Sequence, residues 1–308
     1  MCDYNYKDGY DKIHDYNTFN SNDVTGRNLL FLIGSIFILL ISNIYFVFKN
    51  KNINVLTFCL ICILTVSIID RPIRFIYMFS YILTSQIRTE AFLDKDYYFP
   101  KYKLFENNYK PIKKELNTLL NKTNKGKDII FTKDTFDKKE NAYIGKDVDV
   151  QNNRGWRIFH IKLADTYNQK ALKIFPTLIS LLKKCPEIIN CSVSILDEKT
   201  YIPIHNGYYK GMMRFMLPLI IPKNKDNVYL CNNYNKYVWT EGESVLWDDT
   251  YPHKVYNYTN EMRVVLYMDV VRSINGFLGK MNTFLIKQLS NSNMIKDEIK
   301  KTEKKYKL

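Results

Sequence analysis

The chain has 308 residues, of which 46% are apolar and 15% aromatic, so it can bury the core of one large or two small domains. Its formal charge of +14 and its pI of about 9.3 would suit a partner that carries phosphates. The lysines are scattered along the chain, however, and only residues 300–307 concentrate them. We therefore expect a solvated basic tail at that end and no nucleic-acid partner.

The spacing of the cysteines gives little information about metal sites, disulfides or the redox compartment. The six cysteines are Cys2, Cys59, Cys62, Cys185, Cys191 and Cys231. Two of them lie inside an apolar run, and the spacing of the others matches no metal site or disulfide framework. A bridge between Cys185 and Cys191 stays open, and cysteine usage does not fix the redox compartment.

Long uncharged stretches lie near the N-terminus. Residues 29–48 contain no charged side chain. A helix of that length spans about 30 Å, the thickness of the hydrocarbon core of a bilayer. A second uncharged run covers 53–69, and a weaker apolar stretch covers 73–87. We predict a polar tail at 1–27, then a membrane anchor at 28–88 with two helical spans and an interfacial helix. Buried helices of a soluble domain are the alternative.

Two spans would place the N-terminal tail and the rest of the chain on the same side of a membrane. Four positive residues just after the second span favour the cytosolic side, namely Arg71, Arg74, Arg88 and Lys95. Lys49 and Lys51, between the spans, favour the opposite orientation. On this balance we predict membrane localisation with the following domain facing the cytosol.

The remaining chain divides into helical and strand-like parts. Apolar residues at helical spacing predict helices over 111–122 and 171–184. The polar, lysine-rich stretch 121–154 between them is typical of loops. We assign 97–273 to one folded domain and 274–308 to a C-terminal helix and basic tail.

Beyond Ile188 the apolar residues follow a strand-like pattern. Eight short runs separated by turn residues predict strands at 189–196, 202–205, 213–221, 227–231, 236–239, 244–247, 252–257 and 262–271. Such a series is typical of an antiparallel double sheet, a sandwich or a jelly roll. Alternation in the last run places Arg263 on the inward face with Val265, Tyr267 and Asp269. A buried arginine there needs an anion to pair with it.

Two of the four histidines, His205 and His253, lie on separate predicted strands, and Arg263 follows the second one. This arrangement resembles the 2-oxoglutarate oxygenases, in which the imidazoles bind iron and the guanidinium holds the far carboxylate of the co-substrate. The usual carboxylate ligand two residues after the first histidine is missing, because Gly207 stands there.

The stretch from Trp156 to Val271 resembles the aspartyl/asparaginyl β-hydroxylase family of Fe(II)/2-oxoglutarate dioxygenases. The matching blocks, in order, are GW (155–156), SVSIL (192–196), IPIHNG (202–207), MRFMLPLIIP (213–222), WTEGESVLWDDTYPH (239–253) and NEMRVVLYMDVVR (260–272). The segment 96–116 also looks like that family's first helical segment. The resemblance implies a mainly β, double-stranded β-helix (jelly-roll) domain with flanking helices and a core at 156–272. It also implies Fe(II), 2-oxoglutarate and O2 as reactants.

The resemblance assigns iron ligation to His205 and His253. Some members of the family also have glycine at the position of Gly207, which leaves one iron position to water. Asp249 is then a candidate catalytic residue that accepts a hydrogen bond from the metal-bound water; shaping the turn is its alternative role. If the vacant position lies at the metal, Gly207→Asp should keep or tighten metal binding.

The resemblance also assigns the co-substrate pocket. Arg263 matches the arginine that holds the far carboxylate of 2-oxoglutarate, and Ser194 matches its hydroxyl partner. Arg214 matches a second arginine of the pocket. Family members generally have histidine two residues later, where this chain has Met216, so one hydrogen-bond donor is lost.

The sequence therefore predicts a membrane-anchored dioxygenase that hydroxylates an unactivated C–H bond. Gly207 favours the β-carbon of Asp or Asn in a protein substrate. Hydroxylation of a lipid acyl chain is the alternative, because the stretch 250–272 looks at least as much like the lipid-modifying members. A catalytically inactive jelly-roll module that only binds a ligand is a third hypothesis, motivated by Gly207 and Met216.

Overall fold

The structure is a computed structural model, and it describes Cys2 and residues 79–80, 82–87, 89–129, 155–164, 166–207 and 209–290. The chain divides into two compact units, one at residues 9–86 and one formed by residues 1–8 with 87–308. In the first unit, residues 79–80 and 82–86 are helical, as expected within the weaker apolar stretch. The two predicted spans lie outside the described residues. Among the helices that are described, none has the length and apolarity to cross a bilayer.

Three helices open the second unit. They are α1 (Lys95–Tyr98), α2 (Tyr102–Asn107) and α3 (Tyr109–Lys122). The predicted helix at 111–122 is confirmed by α3. Ile112, Leu116 and Leu119 repeat at intervals of four and three residues, so they share one face of α3. All three are fully buried, and burial of this face stabilises the helix.

The helix predicted at 171–184 is two helices, α4 (Gln169–Ile174) and α5 (Pro176–Lys184). Proline cannot donate the backbone hydrogen bond of a helix interior but fits the first turn, so α5 begins at Pro176. The Glu115 carboxylate on α3 accepts hydrogen bonds from the backbone N–H groups of Thr177 (2.6 Å) and Leu178 (3.2 Å). A side chain from another helix therefore caps the start of α5.

Eleven strands are found among the described residues. They are β1 (Phe92–Leu93), β2 (Trp156–Leu163), β3 (Thr166–Tyr167), β4 (Ile188–Leu196), β5 (Thr200–His205), β6 (Met212–Ile220), β7 (Val228–Asn232), β8 (Asn235–Val238), β9 (Val245–Trp247), β10 (His253–Asn257) and β11 (Arg263–Val271). The last eight, β4 to β11, confirm the eight predicted strands to within two residues at each end.

The strands form two antiparallel sheets. The larger sheet has the order β1-β9-β6-β11-β4-β2-β3, and the smaller has the order β5-β10-β7-β8. From β4 to β11 the chain passes back and forth between the sheets, and only β7 and β8 follow one another in the same sheet. This winding is that of a jelly roll, so the predicted mainly β fold is confirmed.

Strand β2 was not predicted, because its sequence WRIFHIKL carries three basic or imidazole side chains. One of them, Arg157, is fully buried and forms an ion pair with Asp197 (Nε to Oδ2, 3.0 Å). Its guanidinium also donates to the backbone carbonyl of Lys127 at 2.9 Å. These partners are distant in sequence, so a single-strand pattern cannot show that an arginine at this position is satisfied.

The core has two parts, on opposite faces of the larger sheet. On the outer face, the sheet packs against helices α2 to α5 through residues such as Phe105, Leu116, Phe215 and Leu266. On the inner face, it meets the smaller sheet through a cluster that includes Leu196, Met216, Leu230, Trp247, Val255 and Val265. Strand β11 alternates between the two parts, as predicted, so Arg263 points between the sheets.

One disulfide is described, between Cys2 and Cys231, with a Cα–Cα distance of 6.0 Å. It joins the N-terminus to β7 across 229 residues of sequence. Cys185 and Cys191 are both buried free thiols, so the bridge between them that the sequence left open does not form. Loop closure between residues so far apart could not be read from cysteine spacing.

Candidate metal and co-substrate site

The two candidate metal ligands meet at one edge of the smaller sheet. His205 is the last residue of β5, His253 is the first of β10, and the two are directly paired across the ladder. Their ring centroids are 4.1 Å apart. Within the described ranges, no group of three or more histidine, cysteine or carboxylate side chains could hold a metal ion. His205 and His253 stay the candidate ligands predicted from the sequence.

The surroundings of His253 prepare it as a metal ligand. Its Nδ1 lies 2.9 Å from the backbone carbonyl oxygen of Tyr251, which can only accept, so Nδ1 carries the proton. Burial, followed by the neighbouring His205, holds the pKa of His253 well below its usual value. The neutral ring is the form that coordinates metals.

The Asp249 side chain lies in the space where a side chain at position 207 would lie. The N–H of Gly207 donates to the backbone oxygen of Asp249 at 2.6 Å. A Cβ placed on Gly207 would collide with the carboxyl group of Asp249. The Asp249 carboxylate thus fills the volume that a side chain at position 207 would need. A carboxylate introduced by Gly207→Asp would have to displace Asp249, and its effect on metal binding stays a prediction.

The Asp249 carboxylate is held by Arg214. Nη2 of Arg214 lies 2.6 Å from Oδ2 of Asp249, and Nη1 lies 3.1 Å from Oδ1 of Asp269. Asn190 donates to the other oxygen of Asp269 at 2.7 Å. The Tyr267 ring lies 4.3 Å from Cζ of Arg214, within the range of a cation–π contact. Arg214 is therefore neutralised by two carboxylates of the protein itself.

Arg263 has a different environment. It is 1% exposed, and its Nε has no hydrogen-bond partner. In the described part of the chain no carboxylate pairs with it, and its one side-chain hydrogen bond is from Nη1 to Oγ of Ser194 at 3.5 Å. Burial alone lowers the pKa of Arg263 to about 9. A buried guanidinium without a counter-charge is costly, so this pocket fits an anion.

Ser194 and two tryptophans complete the pocket around Arg263. Nε1 of Trp156 donates to Oγ of Ser194 at 3.0 Å, which leaves the hydroxyl proton free to donate to an anion. The Trp239 ring lies 5.2 Å from Cζ of Arg263. Met216 is 9% exposed and belongs to the apolar cluster between the sheets. A thioether there packs and offers no hydrogen-bond donor.

The site thus has two ends. We call the end that holds His205, His253 and the start of β6 the histidine end, and the end that holds Arg263 the far end. Antiparallel pairing of Val271 with Met212 and of Arg263 with Leu196 places these two pairs at opposite ends of the larger sheet. The arrangement can hold a metal at one end and a carboxylate at the other.

A charged network under the histidine end was not predicted. Asp248 is fully buried, and its Oδ2 pairs with Nζ of Lys210 (2.6 Å) and Nη2 of Arg272 (2.7 Å). Thr89 and Thr250 donate to the same carboxylate at 2.9 and 2.6 Å. This network fixes the loop between β9 and β10, which carries Asp249. The adjacent pair Asp248-Asp249 was the available signal, but its partners come from three distant segments.

Similar proteins were found by sequence. The family model described as aspartyl/asparaginyl beta-hydroxylase matches residues 106–273, just over half of the chain. An ornithine lipid ester-linked acyl 2-hydroxylase of Rhizobium tropici is 27% identical over 160 residues, 51% of this chain and 57% of that protein. The human aspartyl/asparaginyl beta-hydroxylase is 28% identical over 139 residues, 44% of this chain and 18% of that protein. The chain thus spans less than two thirds of each relative.

Among solved structures, part of the chain matches a Cupin_2 domain from Enterobacter cloacae (8% identity, TM-score 0.27, 38% of this chain and 97% of that chain). A predicted oxalate decarboxylase from Thermotoga maritima has 11% identity and a TM-score of 0.26 over 38% of this chain and 80% of that chain. The family match rests on the sequence model, which covers α3 and all strands from β2 to β11. This chain belongs to the aspartyl/asparaginyl β-hydroxylase family.

Proposed function

We propose that the protein is an Fe(II)- and 2-oxoglutarate-dependent dioxygenase that hydroxylates an unactivated C–H bond. The observation that carries the proposal is the pairing of two imidazoles, His205 and His253, at one end of the space between the sheets, with a buried arginine at the other end that has no carboxylate partner among the described residues. A metal and a dicarboxylate would together satisfy both groups. A structural role alone gives no reason to bury Arg263 without an anion.

His205 and His253 would hold the iron, and Arg263 with Ser194 would hold the far carboxylate of 2-oxoglutarate. When bound, the iron and 2-oxoglutarate supply the oxidation of the substrate by O2, with succinate and carbon dioxide as the other products. Asp249, fixed by Arg214, would accept a hydrogen bond from a water in the position that no protein ligand fills. The apolar residues between the sheets would exclude bulk water from the reaction.

For the substrate, we propose the β-carbon of Asp or Asn in a protein as the first candidate, because Gly207 matches the protein-modifying members. An acyl chain of a lipid is the second candidate. It is favoured by the lipid hydroxylase of Rhizobium tropici, of which 57% is matched, against 18% of the human protein hydroxylase. Arg214, already paired with two carboxylates, also leaves little positive charge to attract an acidic side chain.

Two experiments test these proposals. The first measures succinate release from 2-oxoglutarate by the detergent-solubilised full chain with added Fe(II). We expect turnover in the native protein and none in His253→Ala. Absence of both turnover and metal binding in the native protein would instead support the inactive binding module.

The second experiment compares cells that make the native protein with cells that make His253→Ala. Mass spectrometry of both lipids and proteins should find a species that gains the mass of one oxygen atom only with the native protein. Oxygen added to lipids would identify the protein as an acyl-chain hydroxylase. Oxygen added to Asp or Asn residues would identify it as a protein hydroxylase.

For the cellular location, we propose a membrane-anchored protein whose catalytic domain faces an oxidising compartment. The Cys2–Cys231 disulfide argues against the cytosolic orientation expected from the charges, because disulfides persist in oxidising compartments and are rare in the cytosol. Thiol blocking at lysis, followed by non-reducing electrophoresis, should show a mobility shift that Cys231→Ser removes. A fully reduced native protein would support the cytosolic orientation instead.

A further inference from the structure

The C-terminal helix α6 (Gly276–Ser290) exposes large apolar side chains to solvent. Phe277 is 74% exposed and Phe284 is 58% exposed. They are seven residues apart, about two helical turns, so they lie on the same side of the helix. On the opposite side Asn282 and Ile286 are buried against the domain. Exposed aromatic residues in such a row mark a contact with another molecule or a membrane.

Hydrogen bonds fix α6 at the histidine end of the barrel. The side-chain amide of Asn282 donates to the backbone oxygens of Gly211 (3.0 Å) and Arg272 (3.3 Å). The hydroxyl of Tyr209 donates to Oδ1 of Asn282 at 2.6 Å. Gly211 is the residue before β6, the strand that carries Arg214. These bonds therefore hold α6 next to the start of β6, at the histidine end of the barrel.

The charge around the exposed phenylalanines is positive. Lys280 and Lys287 are exposed on the same helix, and α6 contains no acidic residue. The sequence after α6 continues with the basic tail at 300–307. A helix with aromatic residues between lysines is suited to the interface of a bilayer that contains anionic lipids, where each lysine near the surface adds attraction.

We propose that α6 rests on an anionic membrane surface, with Phe277 and Phe284 inserted at the boundary between headgroups and acyl chains and the histidine end facing the lipid. The inference deepens the proposed function, since it favours a lipid acyl chain as the substrate. The predicted anchor at 28–88 would assist the contact. A weak helix contact is then sufficient, because tethering raises the effective lipid concentration.

The test uses the full chain in nanodiscs of phosphatidylcholine and phosphatidylglycerol in equal parts, with brominated acyl chains that quench tryptophan on contact. Phe284→Trp should add fluorescence that the brominated lipid quenches. Tyr258→Trp is the matched control, because Tyr258 is similarly exposed at 55% but lies at the far end of the barrel. Its added fluorescence should not be quenched.

Replacing both Lys280 and Lys287 with glutamine should lower the equilibrium constant for docking about 30-fold, since each lysine contributes independently. Equal quenching at positions 284 and 258 would overturn the proposal, as would quenching at neither. A doubled particle size with position 284 protected from the brominated lipid would show that a second copy covers the helix, and would also overturn it.

Failure of the membrane contact can be distinguished from failure of the proposed dioxygenase function. His253→Ala should abolish succinate release but keep the quenching at position 284, because the helix contact does not involve the metal site. Turnover without quenching would overturn only the membrane contact. Quenching without turnover in the native protein would overturn only the dioxygenase.

Discussion

Arg214 and Arg263 lie on neighbouring strands of the same sheet, and both point between the two sheets, yet their surroundings are opposite. Arg214 contacts two carboxylates, those of Asp249 and Asp269. Arg263 is more deeply buried, and among the described residues its one side-chain hydrogen bond is to the Ser194 hydroxyl. The comparison teaches that a buried arginine is a candidate ligand site only where the protein leaves its charge unbalanced. By that criterion Arg263 would bind the co-substrate, and Arg214 would position Asp249.

The largest effect on the 2-oxoglutarate requirement is expected from Arg263→Met. Loss of a buried charge-assisted pair should raise the 2-oxoglutarate concentration needed for half-maximal turnover about 1,000-fold. The requirement for the prime substrate should change far less. Titration of 2-oxoglutarate by succinate release measures the effect, and an equal effect on both substrates would remove the assignment. The free energy of unfolding without ligands should not fall, because the substitution removes an unpaired buried charge.

Arg214→Met, unlike Arg263→Met, should lower the stability of the protein without ligands. It leaves the buried Asp269 and the partly buried Asp249 without their counter-charge, so the free energy of unfolding should fall by about 3 kcal/mol. Urea denaturation of the two methionine variants side by side gives a matched comparison. If both variants lost the same stability, the distinction between the two arginines would not hold.

Gly207→Ala tests whether Asp249 occupies the space beside the metal position. The added methyl group would meet the Asp249 carboxyl, and such overpacking should lower the free energy of unfolding by about 2 kcal/mol. The double variant Gly207→Ala/Asp249→Ala should recover part of that loss. Co(II) affinity of all three variants, followed by absorption spectroscopy, reports the metal site without turnover. Additive effects of the two substitutions would mean that these residues do not share the space.

Ser194→Ala should have the smallest effect. It removes one hydroxyl beside Arg263 but keeps the charge, so 2-oxoglutarate affinity should fall about tenfold, as for one hydrogen bond to a charged group. Isothermal titration with Fe(II) present measures the change. An effect as large as that of Arg263→Met would mean that Ser194 also positions the arginine.

Much of the fold was predictable because it follows from local patterns. The alternation in β11 identified both its faces, and the eight strands after Ile188 were found from apolar runs and turns. Strand β2 was missed because Arg157 and Lys162 are buried in it, and their polar groups are satisfied by Asp197 and by the carbonyl of Ile188. The break between α4 and α5 was missed although the sequence contains Pro176. The apolar residues keep the same helical spacing on both sides of that proline.

The sequence was sufficient to identify the alternation of buried and exposed faces, and it made His205 and His253 candidate metal ligands and Arg263 a candidate anion partner, because each of these inferences depends on residue type and short spacing. Only the tertiary structure decided which arginine is already neutralised, which carboxylate fills the space at Gly207 and which cysteines are joined. These outcomes depend on contacts between strands and loops that are far apart in the chain. In each case a buried charge or thiol meets partners that only folding brings close to it. A short stretch of sequence does not show which residues those partners are.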